Sequence, residues 1–140
     1  MEETTKPEIS KLEIYKAYLT KEGYRPEVDS DGDLIFKKEG GSYCIIVDEK
    51  DREYFRLVYT NFWPIENDNE RLRVLKACDY ATARTKVAKV YIVKNNVWAT
   101  VELFLPNPQD FEPIFERLCR TLTYAVKNFA DTMKGKDEKK

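Results

Sequence analysis

From Phe111 to Phe129, apolar side chains recur every three or four residues: Phe111, Ile114 or Phe115, Leu118, Leu122, Ala125 or Val126, and Phe129. This spacing predicts a long amphipathic helix whose apolar stripe must be buried against another layer. Asp110 is placed to cap it, and Pro113 then falls in the first turn, where a missing N–H costs nothing. The architecture depends on what supplies the opposing layer.

Short extended segments supply it. "PEV" leads into the acidic stretch Asp29 to Asp33, "LIFKK" leaves it, and "SYCIIV" and "YFRLVYTNF" follow. They are rich in β-branched and aromatic residues and separated by the turn-like "EGG" and "DEKDRE", which predicts an antiparallel meander. A second pair, "VAKVYIVK" and "VWATVELFL", flanks Asn95-Asn96, a natural site for a two-residue hairpin turn. Its inward face is Val90, Ile92, Val97, Ala99, Val101 and Leu103. Its outward face is Lys89, Tyr91, Trp98, Thr100 and Glu102.

Two further helices complete the set. Ser10 caps the first, which carries Leu12, Tyr15 and Leu19 on one face and stops at Gly23. Asn67 or Asp68 caps the second, with a stripe of Leu72, Leu75, Cys78 and Ala81 or Thr82, widened by Val74 and Ala77. The order is α-β-β-β-α-β-β-α, helices on an antiparallel sheet, hence α+β. One domain is expected over 9–133, with flexible tails at 1–8 and 134–140.

Composition excludes several kinds of chemistry. The chain has 140 residues and no histidine, so the commonest general base and metal ligand are missing. No phosphate-cradling glycine motif occurs. Cys44, Cys78 and Cys119 are far apart among apolar neighbours, as buried free thiols of a reducing compartment would be. No signal peptide or membrane-length apolar run is seen, so a cytoplasmic protein is expected. Glu102 is the least ordinary carboxylate, yet nothing isolates an acid–base pair. No catalytic residue, metal site or cofactor is assigned.

The acidic stretch "DSDGD" invites comparison with a calcium loop. Starting at Asp29, the sixth position is Leu34 and the twelfth Gly40; starting at Glu27, the twelfth is Lys38. Neither register meets the ligand pattern, and strands rather than helices flank it. Asp31-Gly32 is read as a hairpin turn.

Charge and aromatics suggest surfaces instead. Net charge is −1, but Glu22 to Glu53 holds ten acids and five bases, whereas Arg71 to Lys94 holds seven bases and one acid. Arg71, Arg73, Arg84 and Lys86 form a candidate basic patch, although a domain without net positive charge is not expected to bind nucleic acid. Aromatic residues make up 13% of the chain. Tyr91 and Trp98, on the outward face of the second hairpin, and Phe62 and Trp63, beyond a strand end, are candidates for a protein-binding or dimer surface.

The first helix ending in "EGY", followed by "VDSDGDLIFKKEGGSYCIIVDEKDREYFRLVY", and later "KVYIVKNNVWATVELFLP" before the long helix, resembles the YbjN family of bacterial proteins, labelled sensory transduction regulators. The likeness runs from Ile9 to about Met133. It implies the fold of type III secretion chaperones, pairing as a homodimer, and no catalytic residues. Secretion chaperones of that fold keep a strongly acidic surface, unlike this chain. The function expected is a non-enzymatic protein-binding, chaperone-like or regulatory module with an unknown protein partner. The alternative is a small-ligand sensor or enzyme with a pocket between the C-terminal helix and the sheet.

Overall fold

A computed structural model describes residues 8–135. Helix α1 spans Lys11–Lys21. Strands β1 (Glu27–Val28), β2 (Leu34–Lys38), β3 (Gly41–Ile45) and β4 (Tyr54–Tyr59) follow, then α2 (Asp68–Arg84), β5 (Ala88–Val93), β6 (Asn96–Phe104), a 3-10 helix over Pro108–Ile114, and α3 (Phe115–Met133). The six strands form one antiparallel sheet in the order β1-β2-β3-β4-β6-β5. The α+β class expected from the pattern is the class observed.

Local signals place most boundaries. The Ser10 hydroxyl accepts from the Glu13 N–H at 3.1 Å, and the Asn67 side chain accepts from Glu70 at 2.9 Å. After α1, Tyr24 N–H reaches back to the Leu19 carbonyl at 2.9 Å while Gly23 sits at φ +97°. That backbone is the left-handed helix stop that glycine favours.

Four details differ from the sequence reading. "PEV" contributes a two-residue strand, so the first sheet block has four strands, not three. The second hairpin pairs Val93 with Asn96, so its turn is Lys94-Asn95, one residue earlier than expected, with Lys94 at φ +56°. The long helix does not begin at Asp110. Pro113 lacks an N–H to continue an α-helical ladder, and a 3-10 turn precedes Phe115. Asp110 instead accepts from the Asn107 N–H at 3.0 Å. Finally, α2 is rotated: Val74, Ala77, Cys78 and Ala81 are buried, while Leu72 and Leu75 are 58% and 51% exposed. The apolar spacing puts the larger leucines on the inward stripe, but the small residues allow α2 to pack closely on α3 and β5. The tails expected at 1–8 and 134–140 lie almost wholly outside the described residues.

The core lies on one face of the sheet. Alternate strand residues Leu34, Phe36, Tyr43, Ile45, Phe55, Leu57, Val90, Val97, Ala99 and Val101 pack with Tyr15, Leu19, Phe111, Phe115, Leu118, Leu122 and Phe129. Among the described residues, the opposite face carries no helix.

Candidate functional site: the uncovered face of the sheet

Strand alternation dictates what this face displays. Ile35, Cys44, Arg56, Val58, Tyr91, Trp98, Thr100 and Glu102 all have the parity opposite to the core. Val58 and Thr100 are nonetheless fully buried, covered by their longer neighbours.

The face divides in two. Over β4, β6 and β5 the side chains lock together. Arg56 donates to Thr100 at 3.2 Å and to the Tyr91 hydroxyl, Tyr54 donates to Glu102, and Lys89 pairs with Glu102 at 2.8 Å. Hydrogen bonds from Lys89 and Tyr54 hold the Glu102 carboxyl below its usual range. Glu102 is thus an anchoring anion, the opposite of a carboxyl tuned upward to donate a proton.

Over β2 and β3 the face opens into a cleft of about 660 Å³. Ile35, Cys44, Ile46 and Trp98 give it an apolar floor and wall, and Glu27, Asp29, Asp31 and Asp33 form an acidic rim. Trp98 is fixed by a 2.9 Å bond from its indole N–H to Asn61, whose φ of +53° asparagine tolerates.

The acidic turn is built from its own backbone. β1 and β2 pair through Val28 and Leu34, and the Asp29 carboxylate accepts from the N–H groups of Asp31 and Asp33, each at 2.9 Å. Gly32 stands at φ +85°. Asp33 accepts from the Val47 N–H at 2.8 Å. Ligand atoms of Asp29, Asp33 and Cys44 approach within 4.8 Å of one another. Burial pushes the Cys44 thiol up to about 12, however, and both carboxylates already serve the backbone. The arrangement is that of a chain reversal, as its sequence suggests.

The candidate aromatic residues separate. Tyr91 and Trp98 are direct cross-strand partners on the open face. Phe62 and Trp63 lie on the helical side, each edge-on to Phe129 at 5.4 and 5.3 Å. The candidate basic residues also separate. Arg71 donates to Asn95 at 2.6 Å, and Arg73 to the Met133 carbonyl at 3.0 Å. Arg84 and Lys86 instead line a cleft with residues of α3. Between the C-terminal helix and the sheet, where the alternative reading expects a pocket, Leu118, Leu122, Ala125 and Phe129 pack into the core; the 660 Å³ cleft is on the other side. Ile35, Ile46 and Asn61 were not singled out from sequence. The signal for Ile35 and Ile46 was parity with Trp98 across the sheet, which needs the strand register to be seen; Asn61 lies beyond the end of β4 and carries no such signal.

One sheet edge is clamped at its centre. The Thr82 hydroxyl accepts from the Val90 N–H at 2.8 Å and donates to its carbonyl at 3.3 Å, clamping the edge of β5. At the opposite edge β1 pairs only with Leu34 and Ile35, and Pro26 brings no N–H to extend the pairing.

No family model and no curated protein matches this chain. Among solved structures, it is similar to the crystal structure of YbjN, a candidate transcription regulator from E. coli, with a TM-score of 0.60 and 10% identity over 89% of this chain and 93% of that one. No helix among the described residues is long and apolar enough to cross a membrane. The resemblance seen in the turn motifs therefore holds at the level of architecture: this chain has the YbjN fold.

Proposed function

We propose that this chain is a non-catalytic binding module that holds a segment of a protein partner in the cleft of its uncovered sheet face. The observation that carries the reading is the pairing of an apolar floor (Ile35, Cys44, Ile46, Trp98) with a rim whose four carboxylates outnumber its two cations, Arg25 and Lys37. That combination suits a segment offering an apolar side chain with Lys or Arg beside it. The Thr82 clamp on β5 favours docking on the face over strand addition at that edge. The locked network around Arg56 gives the cleft one rigid flank, which limits the ordering cost of binding. The description of YbjN as a candidate regulator agrees with a binding role and names no partner here.

A photo-reactive side chain replacing Ile46 in the full chain should form a discrete adduct in a cell extract, and Trp98→Ala should abolish it. An adduct of twice the chain's mass would identify the partner as a second copy, the homodimer implied by the resemblance. Equal, unselective cross-linking from the exposed Lys16 on α1 would defeat the proposal.

A further inference from the structure

The end of α2 and the first half of α3 enclose a second cleft, of about 370 Å³, lined by Arg84, Lys86, Arg117 and Arg120 together with Thr121 and Tyr124. We propose that this cleft binds a small molecule carrying two or more linked phosphates, with a flat ring beside Tyr124.

The four cations have no carboxylate among their lining neighbours, and none of them is in an ion pair with another described residue. Glu116, the acid next in sequence to Arg117, is engaged with Lys38 at 3.2 Å. In a chain of net charge −1, this is a local concentration of uncompensated positive charge.

Helix electrostatics explain only one of the four. Arg84 closes the last turn of α2, where the dipole favours a cation, and it lies 4.6 Å from the Tyr80 ring centroid, which orients it. Arg117 lies in the first turn of α3, where the dipole disfavours a cation, and Arg120 lies beyond the reach of any such effect. Three residues apart on one helix, they also repel each other. Both costs would be removed by a bound polyanion.

The connecting segment gives independent support. Val87, next to Lys86, holds φ at +66° while 61% exposed. A β-branched residue is strained there, and its exposed side chain gains little from burial. This backbone fixes the path of Lys86 beside the arginines. Thr85, which accepts from the Asn128 amide at 2.9 Å, ties the segment to α3. The cleft is at the small end of ligand-site volumes, matched to a compact phosphate chain rather than to a duplex. Tyr124, 63% exposed at its mouth, offers an aromatic face.

The test is calorimetric titration of the full chain with pyrophosphate, ADP and orthophosphate at constant ionic strength. Pyrophosphate and ADP should bind saturably, and orthophosphate at least ten-fold more weakly. The surface double variant R117Q/R120Q, with its fold checked by circular dichroism, should weaken pyrophosphate by at least ten-fold. Tyr124→Ala should weaken ADP but not pyrophosphate. Arg71→Gln, outside the cleft, and Trp98→Ala, on the sheet face, should change neither. The inference fails if no saturable heat appears at millimolar pyrophosphate, if the double variant binds as the parent does, or if poly-glutamate or duplex DNA of equal charge binds more tightly than ADP.

Discussion

Lys11 joins two regions 40 residues apart in the chain. Its ammonium is fully buried and donates to the carbonyls of Asp48, Asp51 and Tyr54 at 2.8, 2.7 and 2.7 Å, using all three donors. Glu49 returns the favour at the helix start, accepting from the Lys11 and Leu12 N–H groups at 3.0 and 3.1 Å. The loop before β4 is thereby fastened to the first turn of α1. Burial lowers the Lys11 pKa, opposed by the nearby carboxylates of Asp48, Asp51 and Glu49. Lys11→Met keeps the apolar stem but leaves three carbonyls without their donor. Each such group costs about 1–3 kcal/mol, not additively, so a loss of roughly 3 kcal/mol is expected in urea denaturation. A midpoint equal to the parent's would show that water replaces the ammonium without penalty. Nothing in the sequence marks this lysine. It stands among other charged residues, and its partners are backbone atoms with no sequence signature.

At the scale of elements, α2 and β5 show how one hydroxyl decides an edge. In the sequence Thr82 is an alternative member of an apolar stripe, whereas in the structure it clamps Val90 from the side. Thr82→Val preserves shape and removes both hydrogen bonds. We expect a loss of about 1–2 kcal/mol and faster hydrogen exchange at the Val90 amide, with the other β5 amides less affected. Unchanged protection at Val90 would mean that the clamp contributes nothing to closing the edge. The rotation of α2 belongs to this scale as well. Periodicity identifies a helix and the width of its apolar stripe, but Leu72-Leu75 and Val74-Ala77-Cys78-Ala81 are both regular spacings. Only the closeness of α3 and β5 selects the small-residue set.

For the molecule as a whole, burial of weak acids sets the response to alkali. Burial pushes the thiols of Cys44, Cys78 and Cys119 from 9.0 up to about 12, and Tyr54 from 10.0 up to about 12; Tyr15 and Tyr43 are also raised by burial. Between pH 9 and 12 the unfolded chain releases protons that the native chain retains. Stability therefore falls as pH rises through that window. Lys11, with its lowered value, acts in the opposite sense but is one group against six. Urea midpoints should decline steadily from pH 8.5 to 11, and a flat profile would contradict the burial of these groups. All three cysteines are free and buried, as their apolar surroundings indicate.

Read alone, the sequence determined the α+β class and the alternation of helices with two blocks of strands, the caps at Ser10 and Asn67, the turns at Gly23 and Gly32, and the inward and outward sets of β5 and β6. Those features depend on neighbours within a few residues, where backbone sterics and hydrophobic period act directly. The tertiary structure decided which helical stripe faces inward and that all helices share one face of the sheet. It also decided that Trp98 lines one cleft with Ile35 and the acidic turn, and that Arg84 and Lys86 line another with Arg117 and Arg120 rather than with Arg71 and Arg73. These are juxtapositions of residues far apart in the chain. They arise from strand register and helix packing, and no local spacing encodes them.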